Sequence, residues 1–304
     1  MKMAPLTEPS PQSSRAMAPA PGEPVPLATR AYWDDWYASK LADEADVPGE
    51  ALEFEWLDGV GGDGDENDEK VGAMWSVIAS MPRSSKVLEL GCGVSRLAER
   101  MCDAGFAHVD AVDFSESPIA IMNARAACRD AGEMQNSAQN STENKTKRNS
   151  AAYAVADVLH LDRTKYPPET YHLITDKGLM DVILNAHDQE VWFERCQLER
   201  KKDTDDASLP GKNIPEKIKS VCPYDGEASR SNAQTALATI ASLLKPNGVF
   251  VVLSYEPPAG RNEFFTNHKF GWQMKPGFLR EDGSGNFIYI LEKLSVDEKA
   301  SVRN

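Results

Sequence analysis

Five apolar runs of strand length recur along the chain: KVLELG (86–91), HVDAVDF (108–114), AAYAVADV (151–158), YHLITDKG (171–178) and GVFVVLSY (248–255). Short apolar runs bounded by turn residues predict strands. Between them, apolar positions recur at helical spacing. In VSRLAERMCDAG, Leu97, Ala98 and Met101 share one helix face, and Gly105 is a fitting stop. SPIAIMNARAAC can start from Ser115 or Ser117 as an N-cap. AQTALATIASLLKPNG ends in a Lys-Pro-Asn-Gly stop just before the last run. Strand–helix–strand alternation with nearly continuous apolar strands predicts a parallel sheet covered on both faces.

The polar stretches divide the rest. Residues 1–30 are rich in Pro, Ala and Ser, without period, and read as a disordered tail. Three internal segments lack apolar periodicity and read as surface insertions, near 59–70, 131–150 and 199–230. Residues 31–304 then form a single domain.

Composition narrows the partners. Apolar residues make up 41% of 304, enough for a sizeable core. The net charge of −14 argues against direct nucleic-acid binding, which needs clustered Lys and Arg. A basic protein partner remains compatible. Cys92, Cys102, Cys128, Cys196 and Cys222 form no CxxC pair and are odd in number. Neither a disulfide framework nor a zinc site is expected, and a reducing, cytoplasmic location is. A mitochondrial presequence is the alternative, weakened by Glu8, Glu23 and the prolines. No run reaches membrane-span length, and the first residues lack a secretory apolar core. The five histidines show no metal-binding spacing, so no metal is expected. A monomer is expected.

In a doubly wound sheet, ligands sit beyond the carboxyl ends of the strands. The strand-end residues here are Gly91, Asp113, Asp157 and Asp176. The first turn reads Gly91-Cys92-Gly93-Val94-Ser95-Arg96. A dinucleotide fingerprint would place a third glycine where Arg96 stands. Two glycines still permit a tight turn and close backbone approach. An adenosine ligand without phosphates fits that turn, and S-adenosylmethionine is one. Asp113 lies 22 positions after Gly91, where a carboxylate can accept both ribose hydroxyls. Asp157 can accept from the adenine amino group while the Val158 N–H faces the ring. Glu89 can receive an ammonium group, or it is a solvated strand residue.

VLELGCGVSRL, VDAVDFS, ADVLHLD and LITDKGLMDVIL, in that order, resemble class I S-adenosylmethionine-dependent methyltransferases. Within them, the chain is similar to the branch of eukaryotic lysine methyltransferases acting on elongation factor 1A. YWDDWY (32–37) with FEW (54–56), and KFGWQM (269–274) with GNFIYILEK (285–293), carry the narrower likeness, which spans roughly 31–294. The chain departs from that branch at Val94, where Asn is usual, at Leu179-Met180, where Thr-Leu is usual, and in its longer loop near 199–230.

The resemblance implies a Rossmann-like, doubly wound α/β fold: a mostly parallel seven-stranded sheet with an antiparallel C-terminal hairpin strand. It implies S-adenosylmethionine as cofactor and a protein substrate, elongation factor 1A. It implies that Trp33, Tyr37 and Trp56 wrap the cofactor, Gly91 and Gly93 form its turn, and Gly91 lies along the methionine part. Asp113 and Phe114 would hold the ribose and flank the adenine, Asp157 and Val158 would read the adenine edge, and Lys177 would close the pocket. Trp33 and Tyr37, four apart, share a helix face whose other reading is plain core. Asp176 is the candidate catalytic residue, orienting or deprotonating the amine; its other readings are a helix cap or a salt bridge with Lys177. Arg261, Phe264 and Phe265 are candidates for touching the substrate, or for packing the loop. The alternatives are a methyltransferase for another protein or a small molecule, and a non-catalytic cofactor-binding scaffold.

Overall fold

The computed structural model describes residues 29–44, 73–139, 149–188, 190, 226–274, 280–281 and 286–295. The five apolar runs form β1 (Lys86–Leu90), β2 (His108–Asp113), β3 (Ala152–Val155), β4 (Tyr171–Lys177) and β5 (Leu244–Ser254). A C-terminal group adds β6 (Trp272–Met274), β7 (Arg280–Glu281) and β8 (Phe287–Lys293). The strand order is β3-β2-β1-β4-β5-β8-β6, with β7 pairing β8 off that path. The first five strands pair in parallel, while β8 runs antiparallel to β5, β6 and β7. This is the seven-stranded, doubly wound arrangement of the class I methyltransferase fold, with one two-residue strand added.

Period-two alternation along the strands builds two cores. Leu88, Leu90, Ile174, Phe250 and Val252 face one side of the sheet. There they meet the helix at 179–188 (α5), α6 (Gly226–Leu243) and α7 (Pro258–Phe265). Val87, Val109, Leu173, Val251 and Ile288 face the other side. Against them pack α1 (Arg30–Glu44), α2 (Ala73–Ser80), α3 (Leu97–Asp103) and α4 (Glu116–Gln139). Ser115 immediately precedes α4, and its hydroxyl donates to Asp34 of α1.

Two helices extend into the polar segments. α4 runs on to Gln139, so residues 131–139 are helical. Ala, Glu, Met and Gln are good helix formers and prolong a helix without any apolar stripe. α6 begins at Gly226, so the last residues of the 199–230 segment are helical too. Residues 1–28, 59–70, 140–148 and 199–225 lie outside the described residues.

Candidate active site

The chain runs from β1 outward to β3 and then crosses back to β4, so the strand order reverses between β1 and β4. Two loops part there and leave a crevice at the carboxyl ends. A cavity of about 260 Å³ occupies it. That is near the lower end of ligand pockets, roughly 300–1,000 Å³.

The glycine turn forms its floor. Gly91 and Gly93 take φ of 60° and 50°, a region that side chains rarely adopt. A Cβ on Gly93 would stand 2.5 Å from the Tyr37 hydroxyl, and one on Gly91 3.0 Å from Leu179 Cβ. The turn is therefore clasped between α1 and the start of α5. Arg96 turns outward: its side chain is 42% exposed and its Nε lies 3.4 Å from Glu99 Oε2. No third glycine is needed because α3 starts only at Leu97. Val94 is buried in the cavity wall, and its carbonyl accepts from Arg125 Nη1 at 3.3 Å.

Two carboxylates border the cavity. Asp113 Oδ2 accepts from the Gly93 N–H at 3.0 Å, and its Oδ1 from the Ser115 N–H at 2.9 Å. Burial pushes its carboxyl up, against the pull of those amides. Each carboxylate oxygen keeps further acceptor capacity. Asp157 caps the short helix Val158–His160, accepting from the Leu159 N–H at 2.9 Å and lying 3.1 Å from His160 Nδ1. That cap ends β3 at Val155 and presents Asp157, Val158 and Leu159 to the cavity.

Trp33 and Tyr37 of α1 close one side, both buried and both lining the cavity. Trp33 contacts Tyr32 and Trp36 edge-on, so a ring cluster fixes it. The two residues also belong to a core cluster. Burial first, then the Asp113 and Cys92 charges, push the Tyr37 phenol well up, so it stays a neutral donor. Phe114 and Lys177 also line the cavity. Trp56 lies outside the described residues.

Two expected site residues do not line the cavity. Asp176 does not line the cavity; it is completely buried and caps α5, accepting from the Leu179 and Met180 N–H groups at 2.6 and 3.0 Å. These two bonds are those of the cap reading. Alternation along β1 puts Glu89 on the face of Val87, and it is not among the residues that line the cavity. There its charge acts on Cys92 and Tyr153. Arg261, Phe264 and Phe265 are buried as packing and do not line the cavity.

Burial, then the neighbouring Asp181, push Asp176 up to about 8, with the cap amides and Arg261 opposing. Its pKa in the unfolded chain is about 3.9. The folded state therefore holds the extra proton between those values, and stability falls as pH rises through that window. The burial-raised Asp181 contributes with the same sign. The melting temperature should drop from pH 5 to pH 8, and drop less in Asp176→Asn. Equal slopes in the two proteins would remove Asp176 as a source of the dependence.

Sequence reasoning missed the wall contributed by α5 and α6: Leu179, Val182, Ile183 and Asn232. Arg30 was missed too; its guanidinium lies 6.0 Å from the Phe114 ring centre. The only sequence signal for the α5 residues was their place directly after the DKG strand end.

No protein-family model matches the chain. It is 27% identical over 104 residues to the mouse protein named eEF1A lysine and N-terminal methyltransferase. The match covers 34% of this chain and 12% of that protein's length. Among solved structures, the [4+2]-cyclase SpnF aligns with a TM-score of 0.47 at 12% identity, covering 89% of this chain and 97% of that one. The Burkholderia thailandensis 1,6-didemethyltoxoflavin-N1-methyltransferase, solved with S-adenosylhomocysteine, aligns at 0.46 and 16%, covering 93% and 97%. Magnesium protoporphyrin IX methyltransferase from Synechocystis PCC 6803, solved with bound SAM, aligns at 0.43 and 14%, covering 90% and 100%. All three scores are below 0.5, so the fold assignment stands on the strand order itself, and that order makes the chain Rossmann-like, doubly wound and of the class I methyltransferase fold.

Proposed function

We propose that the chain is an S-adenosylmethionine-dependent methyltransferase that modifies a protein lysine, with elongation factor 1A as substrate. The observation that carries the cofactor is the cavity at the switch point, where the two positive-φ glycines and the carboxylates of Asp113 and Asp157 meet Trp33 and Tyr37. The residues fit the group: carboxylates for the ribose hydroxyls and the adenine amino group, apolar faces for the purine, and aromatic faces for a sulfonium. A ring face attracts such a cation by roughly 0.5–2 kcal/mol. The lysine substrate is supported by the sequence likeness to the elongation factor branch and by the partial match to the mouse protein.

Bound there, S-adenosylmethionine would supply an electrophilic methyl group. The chain's own residues have three tasks. Asp113, Phe114, Asp157 and Val158 bind and orient the adenosine part. Gly91 and Gly93 let the backbone approach the methionine part, beside Lys177. Trp33, Tyr37 and Leu179 exclude water from the reacting end. Excluding water also lowers the pKa of an entering amine, which starts near 10.4. The neutral amine nitrogen forms the new N–C bond while the methyl–sulfur bond breaks, so alignment carries much of the rate.

Calorimetric titration with S-adenosylmethionine, followed by transfer of labelled methyl to purified elongation factor 1A and mass spectrometry of its lysines, tests both parts. Asp113→Ala should weaken cofactor binding by about tenfold to a hundredfold, as loss of charge-assisted hydrogen bonds does. Absence of any binding heat in the wild type would exclude the cofactor. Binding without label on its lysines would exclude elongation factor 1A as the substrate.

A further inference from the structure

The large apolar side chains left exposed among the described residues are Val155 and Tyr255, at 43% and 41%. Val155 ends β3 at the far edge of the sheet. Tyr255 follows β5 at the carboxyl edge, where the cavity opens. Leu253, two residues before it, pairs with Lys177 of the cavity wall, and its carbonyl accepts from the Gly178 N–H at 3.1 Å. Strand spacing and rise then put Tyr255 about 8 Å from Lys177, Cα to Cα. Tyr255 is outside the cavity lining. It stands beside the Lys177 end of the cavity wall.

Tyr255 is held from three sides. Its backbone N–H donates to Asp181 Oδ2 at 2.9 Å. Its hydroxyl donates to Asp188 Oδ2 at 3.1 Å. The Arg261 guanidinium lies 5.8 Å from its centroid. Arg261 is completely buried and binds Asp181 and Asp188 at once. A buried ion network thus fixes an exposed aromatic side chain in advance. Fixing a contact group beforehand removes the entropy cost of ordering it on binding. Two carboxylates against one guanidinium also leave surplus negative charge around the ring. Burial, then Asp181 and Asp188, push the phenol up, so it stays a neutral donor to Asp188. With its polar tip engaged, the ring offers a face, which favours an aliphatic stem ending in a cation.

We infer that Tyr255 is the acceptor-binding residue of the site, its exposed ring receiving the stem and cationic head of a substrate lysine on the way to the reacting end. This rests on the lysine-methyltransferase reading above. It adds the residue that selects the acceptor.

The test compares full-length wild type, Tyr255→Ala and Tyr255→Phe. Each is titrated with S-adenosylmethionine and incubated with labelled cofactor and cell extract, and the labelled residue is located by mass spectrometry. KM for the labelled protein is then measured. The ring is exposed, and unchanged cofactor affinity certifies that each variant is folded. Tyr255→Ala should raise the acceptor KM by about tenfold or more, while Tyr255→Phe, which keeps the face, stays within about threefold. An unchanged acceptor KM in Tyr255→Ala, with wild-type lysine labelling intact, overturns this inference and leaves the proposed function standing. Label on a non-lysine residue or on no protein overturns both.

Discussion

Arg261→Leu is expected to lower the unfolding free energy by about 3–5 kcal/mol, the usual cost of stripping one partner from a buried ion pair. Arg261 Nη2 lies 2.9 Å from Asp181 Oδ1 and 2.8 Å from Asp188 Oδ2, and Nη1 lies 2.9 Å from Asp188 Oδ1. Asp181 Oδ1 also accepts from the Ser254 hydroxyl. Without the guanidinium, Asp181 stays buried beside Asp176, and both are burdened by desolvation. The damage is local to the joint between α5, β5 and α7, since α5 supplies both aspartates, β5 Ser254 and α7 Arg261. Arg261→Lys keeps the charge but not the planar fork and should fall between the two. Urea unfolding of the three proteins measures the order. A loss below about 1 kcal/mol in Arg261→Leu would mean that the carboxylates find other partners, and the ion network would not be the joint described.

Gly93→Ala carries the second large effect, on binding. A Cβ there would meet the Tyr37 hydroxyl at 2.5 Å, and φ is already 50°. A residue other than glycine at such a φ costs about 1–3 kcal/mol in strain alone. The clash forces either the turn or α1 to move, and both are walls of the cavity. Cofactor affinity should fall by about a hundredfold, adding the strain to the displaced contacts. The steric share is separable. With the hydroxyl gone, the nearest Tyr37 atom would be Cζ at 3.7 Å, an ordinary contact. Gly93→Ala with Tyr37→Phe should therefore recover part of the affinity that Gly93→Ala loses, relative to Tyr37→Phe alone. Strictly additive losses would show that Tyr37 does not clasp the turn.

Much of this site could be read one residue at a time. The positive φ at both glycines, the carboxylates bordering the crevice, and Trp33 with Tyr37 one helical turn apart all follow from local pattern. Glu89 and Asp176 could not be placed so. Each sits within two positions of a wall residue, yet Glu89 lies on the Val87 pleat and Asp176 caps the helix that follows its strand. Arg261, a candidate for touching the substrate or packing its loop, is buried because two aspartates of another element bind it.

The sequence by itself determined the five apolar strands, their alternation with helices, the tight turn after β1 and the acidic residues that follow β2 and β3. These depend on side-chain period and on backbone conformations available to single residues. The tertiary structure alone decided that α5 and α6 complete the cavity with Val182, Ile183 and Asn232, and that Tyr255 is left open on a buried ion network. Those outcomes depend on which strand ends lie side by side, and that is set when β4 crosses back to pair with β1 and both faces of the sheet are buried at once.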